Sequence, residues 1–117
     1  MKRRVLVVED DALLALDVAE QLREAGLEVV GPATSVAAAL RLIDSSGCDV
    51  ALLDVNLGDE TAEPIATELR ARGVPFVVLS GYSREQHPPG LHGAPVLLKP
   101  ARSQELVATL VECLNSG

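Results

Sequence analysis

Four short apolar runs, spread along the chain, each stop at a polar or ionisable residue. Val5-Leu6-Val7-Val8 stops at Glu9-Asp10, and Val50-Ala51-Leu52-Leu53 stops at Asp54. Pro75-Phe76-Val77-Val78-Leu79 stops at Ser80, and Pro95-Val96-Leu97-Leu98 stops at Lys99-Pro100. Runs this apolar and this short, set between helical segments, read as parallel strands buried on both faces. In an open α/β sheet the carboxyl ends of such strands line the crevice where ligands bind. One fold would therefore gather three carboxylates, a hydroxyl and an ammonium on a single rim.

The spacing predicts strands near 4–8, 27–30, 50–54, 75–79 and 95–98. Helices are predicted near 12–25, 35–45, 61–72 and 103–115, with a short one near 83–88. In the first helix Leu14, Ala15, Val18, Ala19, Leu22 and Ala25 share one side, opposite Asp17, Glu20, Gln21, Arg23 and Glu24. Leu13 and Leu16 fall off that stripe. Asp11, Thr34 or Ser35, Thr61 and Ser103 are placed to cap the four longer helices, and Gly26 to end the first. Leu106, Val107, Leu110, Val111 and Leu114 are expected to face inward from the last helix. Strict βα alternation implies right-handed crossovers and a doubly wound, flavodoxin-like five-stranded parallel sheet of order 2-1-3-4-5, with helices on both faces. That order sets the first and third strands side by side, with the switch point between Asp10 and Asp54.

Composition narrows the function. Phe76 and Tyr82 are the only Phe, Tyr or Trp residues, and the formal charge is −7. Stacking on a base or flavin is nearly impossible, and a nucleic-acid backbone would be repelled. No run approaches the roughly 20 apolar residues that span a bilayer, so neither a membrane nor a nucleic acid is an expected partner. Cys48 and Cys113 have no metal-ligand spacing and are expected as reduced thiols of a cytoplasmic protein.

Glu9, Asp10 and Asp54 in one crevice would repel one another. Lys99 offers a single positive charge against three negative ones, so a hard divalent cation is expected. Mg²⁺ takes a few carboxylate or carbonyl oxygens and keeps several waters. Asp10 and Asp54 are the expected direct ligands, Glu9 a ligand through water, and Asn56 a ligand through its backbone carbonyl. A carboxylate can also accept a phosphoryl group as an acyl phosphate. Asp54 is the best acceptor because it alone ends the central strand. Mg²⁺, Lys99, and Ser80 Oγ with the Gly81 N–H would then each neutralise one phosphoryl oxygen. Singly, each residue has a plainer role: a turn cap at Asp54, a solvated helix start at Glu9-Asp10-Asp11, an ordinary turn at Ser80-Gly81, a surface charge at Lys99. Their joint occurrence at four different strand ends carries the functional reading.

Those pieces resemble the bacterial response regulator receiver domain over essentially the whole chain. The matching segments are Val7-Val8-Glu9-Asp10-Asp11, Leu52-Leu53-Asp54-Val55-Asn56-Leu57, Ser80-Gly81-Tyr82 and Leu98-Lys99-Pro100. The resemblance implies two-component signalling. Asp54 would be phosphorylated by a histidine kinase or histidine phosphotransferase, Asp10 with Glu9 would bind Mg²⁺, and Lys99 would contact the phosphoryl group. Ser80 would sense that group, and the Lys99–Pro100 bond would be cis. It further implies a phosphoacceptor that assists its own phosphorylation and dephosphorylation rather than an enzyme. Residues 1–117 would form a single domain with no output domain, signalling by protein contact or phosphorelay to a downstream target.

Three departures stand out. Val96 occupies the position where receivers commonly carry Phe or Tyr, Ser80 replaces the commoner Thr, and Ser83 to Ala94 is too rich in Pro and Gly for a regular helix. These features resemble a receiver subfamily with a Phe-Ala-Thr-Gly-type fourth strand end, often single-domain and tied to bacterial stress signalling; here the residues are Val78-Leu79-Ser80-Gly81. Switching is then expected to run through Ser80, Tyr82 and the loop that follows. His87 and His92, flanked by Pro and Gly, are expected to be solvated. Leu13 and Leu16, beside the acidic rim, are a candidate docking pair for a kinase helix hairpin, or simply exposed leucines. The alternative function is a phosphorylation-independent interaction module on the same fold. A small acyl-phosphate hydrolase is less suited, since Glu9-Asp10-Asp11-Ala12 does not supply the Asp-x-Asp it would use.

Overall fold

A computed structural model describes residues 2–81 and 87–116, with the backbone alone at Asn56 and Ser116. Its elements are β1 Arg4–Val8, α1 Ala12–Glu24, β2 Glu28–Ala33, α2 Val36–Ser45, β3 Val50–Asp54, β4 Asn56–Leu57, β5 Glu60–Thr61, α3 Glu63–Ala71, β6 Phe76–Ser80, β7 Val96–Leu98 and α4 Ser103–Ser116. A single 3₁₀ turn, Pro89–Leu91, precedes β7. The five main strands are parallel in the order β2-β1-β3-β6-β7, the doubly wound arrangement expected from the alternating pattern. Among the described residues no helix is long and apolar enough to cross a membrane.

Alternation along the strands divides the interior in two. Val5, Val7, Leu52, Val77 and Leu79 pack with Val18 and Leu22 of α1 and with Leu106 and Leu110 of α4. Leu6, Val8, Leu53, Phe76 and Val78 point the other way, toward Ala39 and Ile43 of α2 and Ile65 and Leu69 of α3. Because both faces are covered, β1, β3 and β6 must be apolar at nearly every position, and that is why their runs stand out.

Helix ends follow local chemistry. Asp11 Oδ1 accepts from the N–H groups of Leu13 and Leu14, both at 3.1 Å, and Ser35 Oγ accepts from Ala38 N at 3.2 Å. Four expectations are corrected. The third helix begins at Glu63, because Thr61 is held in the small β4–β5 hairpin and Ala62 takes the cap position. β2 runs past residue 30 to Ala33, through a register shift against β1. Gly31 permits this: its φ is +96°, and a Cβ there would lie 2.7 Å from Ala33 N. Ala25, expected on the inner stripe of α1, lies exposed at that helix's C-terminal cap. Val111 is 38% exposed, since it lines an open groove between α1 and α4 instead of facing the sheet. Leu13 and Leu16 do lie off the buried stripe, 81% and 57% exposed.

Candidate functional site

β1, β3, β6 and β7 end on the same edge of the sheet, so the residues that follow them share one crevice. Strand pairing sets the spacing: Val8 is opposite Leu53, Asp54 opposite Leu79, and Ser80 opposite Leu98. Two backbone bonds continue the ladder into the rim. Val55 N donates to Leu79 O at 3.2 Å, and Lys99 N donates to Ser80 O at 2.7 Å.

Glu9, Asp10 and Asp54 come together there, with one ligand oxygen from each lying within 4.8 Å of the others. Glu9 and Asp54 are buried, 3% and 5% exposed, whereas Asp10 opens to solvent. Lys99 Nζ lies 3.1 Å from Glu9 Oε1 and 3.2 Å from Asp54 Oδ2, bridging the two buried carboxylates. Glu9 Oε2 also accepts from Asp11 N at 3.2 Å, and Asp10 Oδ2 accepts from Gly58 N at 3.1 Å. The Lys99–Pro100 peptide is cis.

The charges do not balance, and the carboxyls respond. Burial pushes Glu9 up to about 7, hydrogen bonding with Asp54 adds to the rise, and Lys99 offsets only part of it. Asp10 is pulled below the ordinary carboxylate range by its hydrogen bond with Glu9. Burial works against the Lys99 charge, yet the hydrogen bond to Glu9 and the Asp54 charge outweigh it and hold Lys99 above its usual value. A clustered acid raised in the folded state stabilises the protein below its unfolded pKa, near 4.5, and loses that contribution as pH climbs through about 7. With divalent metal chelated, the wild type should therefore lose roughly 1–3 kcal/mol relative to Glu9→Gln between pH 5 and pH 8. Urea unfolding of both proteins at several pH values measures it; parallel profiles would contradict the raised Glu9.

Three oxygen donors around an opening to water, with no sulfur or imidazole among them, suit a small hard cation. Gly81 follows Ser80 on the rim and is exposed. Asn56 opens β4, its backbone paired with Thr61. Tyr82 lies outside the described residues.

His87 is the correction at this site. The pattern places it in solvent, but it is 5% exposed, and its Nε2 lies 2.8 Å from Ser80 Oγ. Its Pro and Gly neighbours signal a turn and carry no information on whether the ring folds inward. His92 is exposed, with its ring nitrogen donating to His87 O at 3.1 Å. Glu60 is a second residue the patterns did not single out; its Oε1 accepts from Val36 N at 3.3 Å and so caps α2 from the β4–β5 hairpin. A glutamate 24 residues from the helix it caps leaves no local signal.

The model of the family described as the response regulator receiver domain matches residues 5–111, which include all the rim carboxylates, Ser80 and Lys99. The transcriptional regulatory protein PdtaR of Mycobacterium tuberculosis is 37% identical over 83 residues, covering 70% of this chain and 40% of that protein. The sensory transduction protein RegX3 of Mycolicibacterium smegmatis is 36% identical over 119 residues, covering 97% of this chain and 51% of that one. The chain thus spans about half, or less, of the length of these curated relatives. The solution structure of SdrG from Sphingomonas melonis Fr1 superposes with a TM-score of 0.81 at 36% identity, covering 97% of each chain.

Proposed function

The chain belongs to the response regulator receiver family of two-component signalling, and from that membership we propose that it accepts a phosphoryl group on Asp54 in a Mg²⁺-dependent reaction. The observation that carries this reading is the Lys99 ammonium set between Glu9 and Asp54 at the end of the central strand. A donor's phosphohistidine presents phosphorus to the Asp54 carboxylate. An oxygen–phosphorus bond forms as the phosphorus–nitrogen bond breaks, and the electron pair leaves with the imidazole, which takes a proton from water. Lys99 neutralises one equatorial oxygen, and Ser80 Oγ with the Gly81 N–H receives another. Asp10 and Asp54 would hold Mg²⁺ directly, Glu9 through water and Asn56 through its carbonyl. When bound, the ion supplies the positive charge that Lys99 alone does not.

The donor is a histidine kinase or histidine phosphotransferase, and the output is contact with a downstream protein or onward relay. The domain assists the addition and loss of its own phosphoryl group without turning over an external substrate. A net charge of −7 disfavours nucleic acid as the direct partner. Ser80 and Tyr82 are the switch pair in this reading, residues 1–117 are one receiver unit, and the setting is cytoplasmic.

Intact-mass measurement tests the central step. After incubation with Mg²⁺ and a small phosphodonor, the parent chain should gain the mass of one phosphoryl group and Asp54→Asn none. Equal masses for the two proteins would favour a phosphorylation-independent interaction module. The exposed pair Leu13 and Leu16 is the proposed docking point for the donor. Changing both to Ser should slow transfer from a cognate kinase about tenfold or more, the loss of roughly 1.4 kcal/mol of contact energy. Uptake from the small donor should stay as it was, and a parallel slowing of both would reassign the pair to the fold.

A further inference from the structure

We propose that His87 is a positioning residue for Ser80, holding its hydroxyl in the resting orientation and linking occupancy of the Asp54 site to the segment 87–92. The inference rests on the phosphoacceptor reading above and adds to it the part that moves.

A buried imidazole needs a polar partner to offset the loss of water, and His87 has one in Ser80 Oγ, itself 1% exposed. The rest of the segment is tied to α3. His92 O accepts from Arg70 at 2.7 Å, Gly90 N donates to Glu63 Oε2 at 3.1 Å, and Leu91 sits in the core shared by α2 and α3. His92 Nε2 donates to His87 O, so the carbonyl and the ring of His87 are held from opposite ends. The imidazole joins this α3-anchored segment to the strand end beside Asp54. Val96, paired with Val78, gives β7 no ring for that purpose.

A serine hydroxyl has one proton. In the structure Ser80 Oγ pairs with His87 Nε2, with donor and acceptor set by the imidazole tautomer; beside a phosphoryl anion the hydroxyl proton is drawn to a charged oxygen, a hydrogen bond roughly twice as strong as a neutral one. A hydroxyl committed to the phosphoryl group has no proton left for the imidazole, and its Oγ turns with it. Once Ser80 turns to the phosphoryl group, His87 keeps it only by donating through Nε2–H, and otherwise the ring leaves. Either result changes the surroundings of Nε2, and loss of the bond loosens one end of the 87–92 segment.

The test uses nitrogen and amide NMR on the full chain with Mg²⁺, before and after beryllofluoride, a phosphoryl mimic that binds a carboxylate. Ser80→Ala should move the His87 Nε2 resonance, and beryllofluoride should move it in the same direction in the wild type, with the amides of 89–92 following. In His87→Ala those amides should stop responding while Asp54 and Val55 still respond; His87→Gln, with a donor and acceptor at its tip, should restore part of the response. Because the ring measurement is made on the wild type, the proposal does not depend on His87→Ala folding. It is overturned if Asp54 and Val55 shift while His87 Nε2 stays fixed, or if 89–92 respond equally in His87→Ala. Silence at Asp54 and Val55 would instead remove the phosphoacceptor reading, and the coupling with it.

Discussion

Lys99→Met is expected to slow phosphoryl uptake at Asp54 by about 100- to 1,000-fold, the loss typical of one preorganised electrostatic contact. The substitution keeps much of the side-chain volume and removes only the charge. Its ammonium now touches both buried carboxylates, at 3.1 and 3.2 Å. Without it, the buried Glu9 and Asp54 carboxylates face each other with no protein cation between them, and an incoming phosphoryl group adds negative charge. The measurement is the time course of mass gain from a small phosphodonor at saturating Mg²⁺, which separates the chemical step from donor docking.

The same variant carries a stability signature of known sign. Glu9 is already raised to about 7 by burial, and loss of the nearby cation raises it further. Below its folded pKa Glu9 is neutral and Lys99 pairs with Asp54 alone; above it, Lys99 also offsets a second buried anion. Lys99→Met should therefore be roughly 1–3 kcal/mol less stable than wild type at pH 8, with the gap narrowing toward pH 6. Lys99→Arg keeps the charge on a wider, planar head and should fall between the two in rate. A Lys99→Met chain that labels at the wild-type rate would strip Lys99 of its role.

Much of this site is legible before any coordinates because each rim residue interrupts an apolar run. β1 stops before Glu9 and β3 ends on Asp54 for one reason: strands buried on both faces admit charge only at their ends. Once alternation implies the parallel order, convergence of Glu9, Asp10, Asp54 and Lys99 follows from topology. What local pattern misses is settled by distant contacts. Gly31-Pro32 reads as a strand breaker, yet β2 is an edge strand, where a proline without an N–H is tolerated. The β4–β5 hairpin has strands of two residues each, too short for any periodicity, although Gly58-Asp59 at its tip is a hairpin turn pair. His87 is hidden for a different reason. Its burial goes with the docking of Gly90 and Leu91 on α3, and the α3 partner Glu63 lies 27 residues before Gly90.

Leu53→Ala should lower the urea midpoint by about 1–3 M, from a loss of about 2–5 kcal/mol and a denaturant slope of about 1–3 kcal/mol per molar. Leu53 has no exposed surface and lies on the central strand, opposite Val8 on one side and Val78 on the other. Hydrogen-bonded strands on both flanks hold the backbone in place, so the space left by the missing atoms cannot close by a shift of β3. The loss is a large share of the roughly 5–15 kcal/mol that holds a domain of this kind together. Leu13→Ala makes the same chemical change at a residue 81% exposed, and should alter stability by no more than about 0.5 kcal/mol. Two identical substitutions thus separate burial from residue type. Asp54 directly follows Leu53, so the cavity variant should also label more slowly than wild type, but far less so than Lys99→Met, because the cation and both carboxylates remain. Equal urea midpoints for Leu53→Ala and Leu13→Ala would show that β3 is not the buried centre of the sheet.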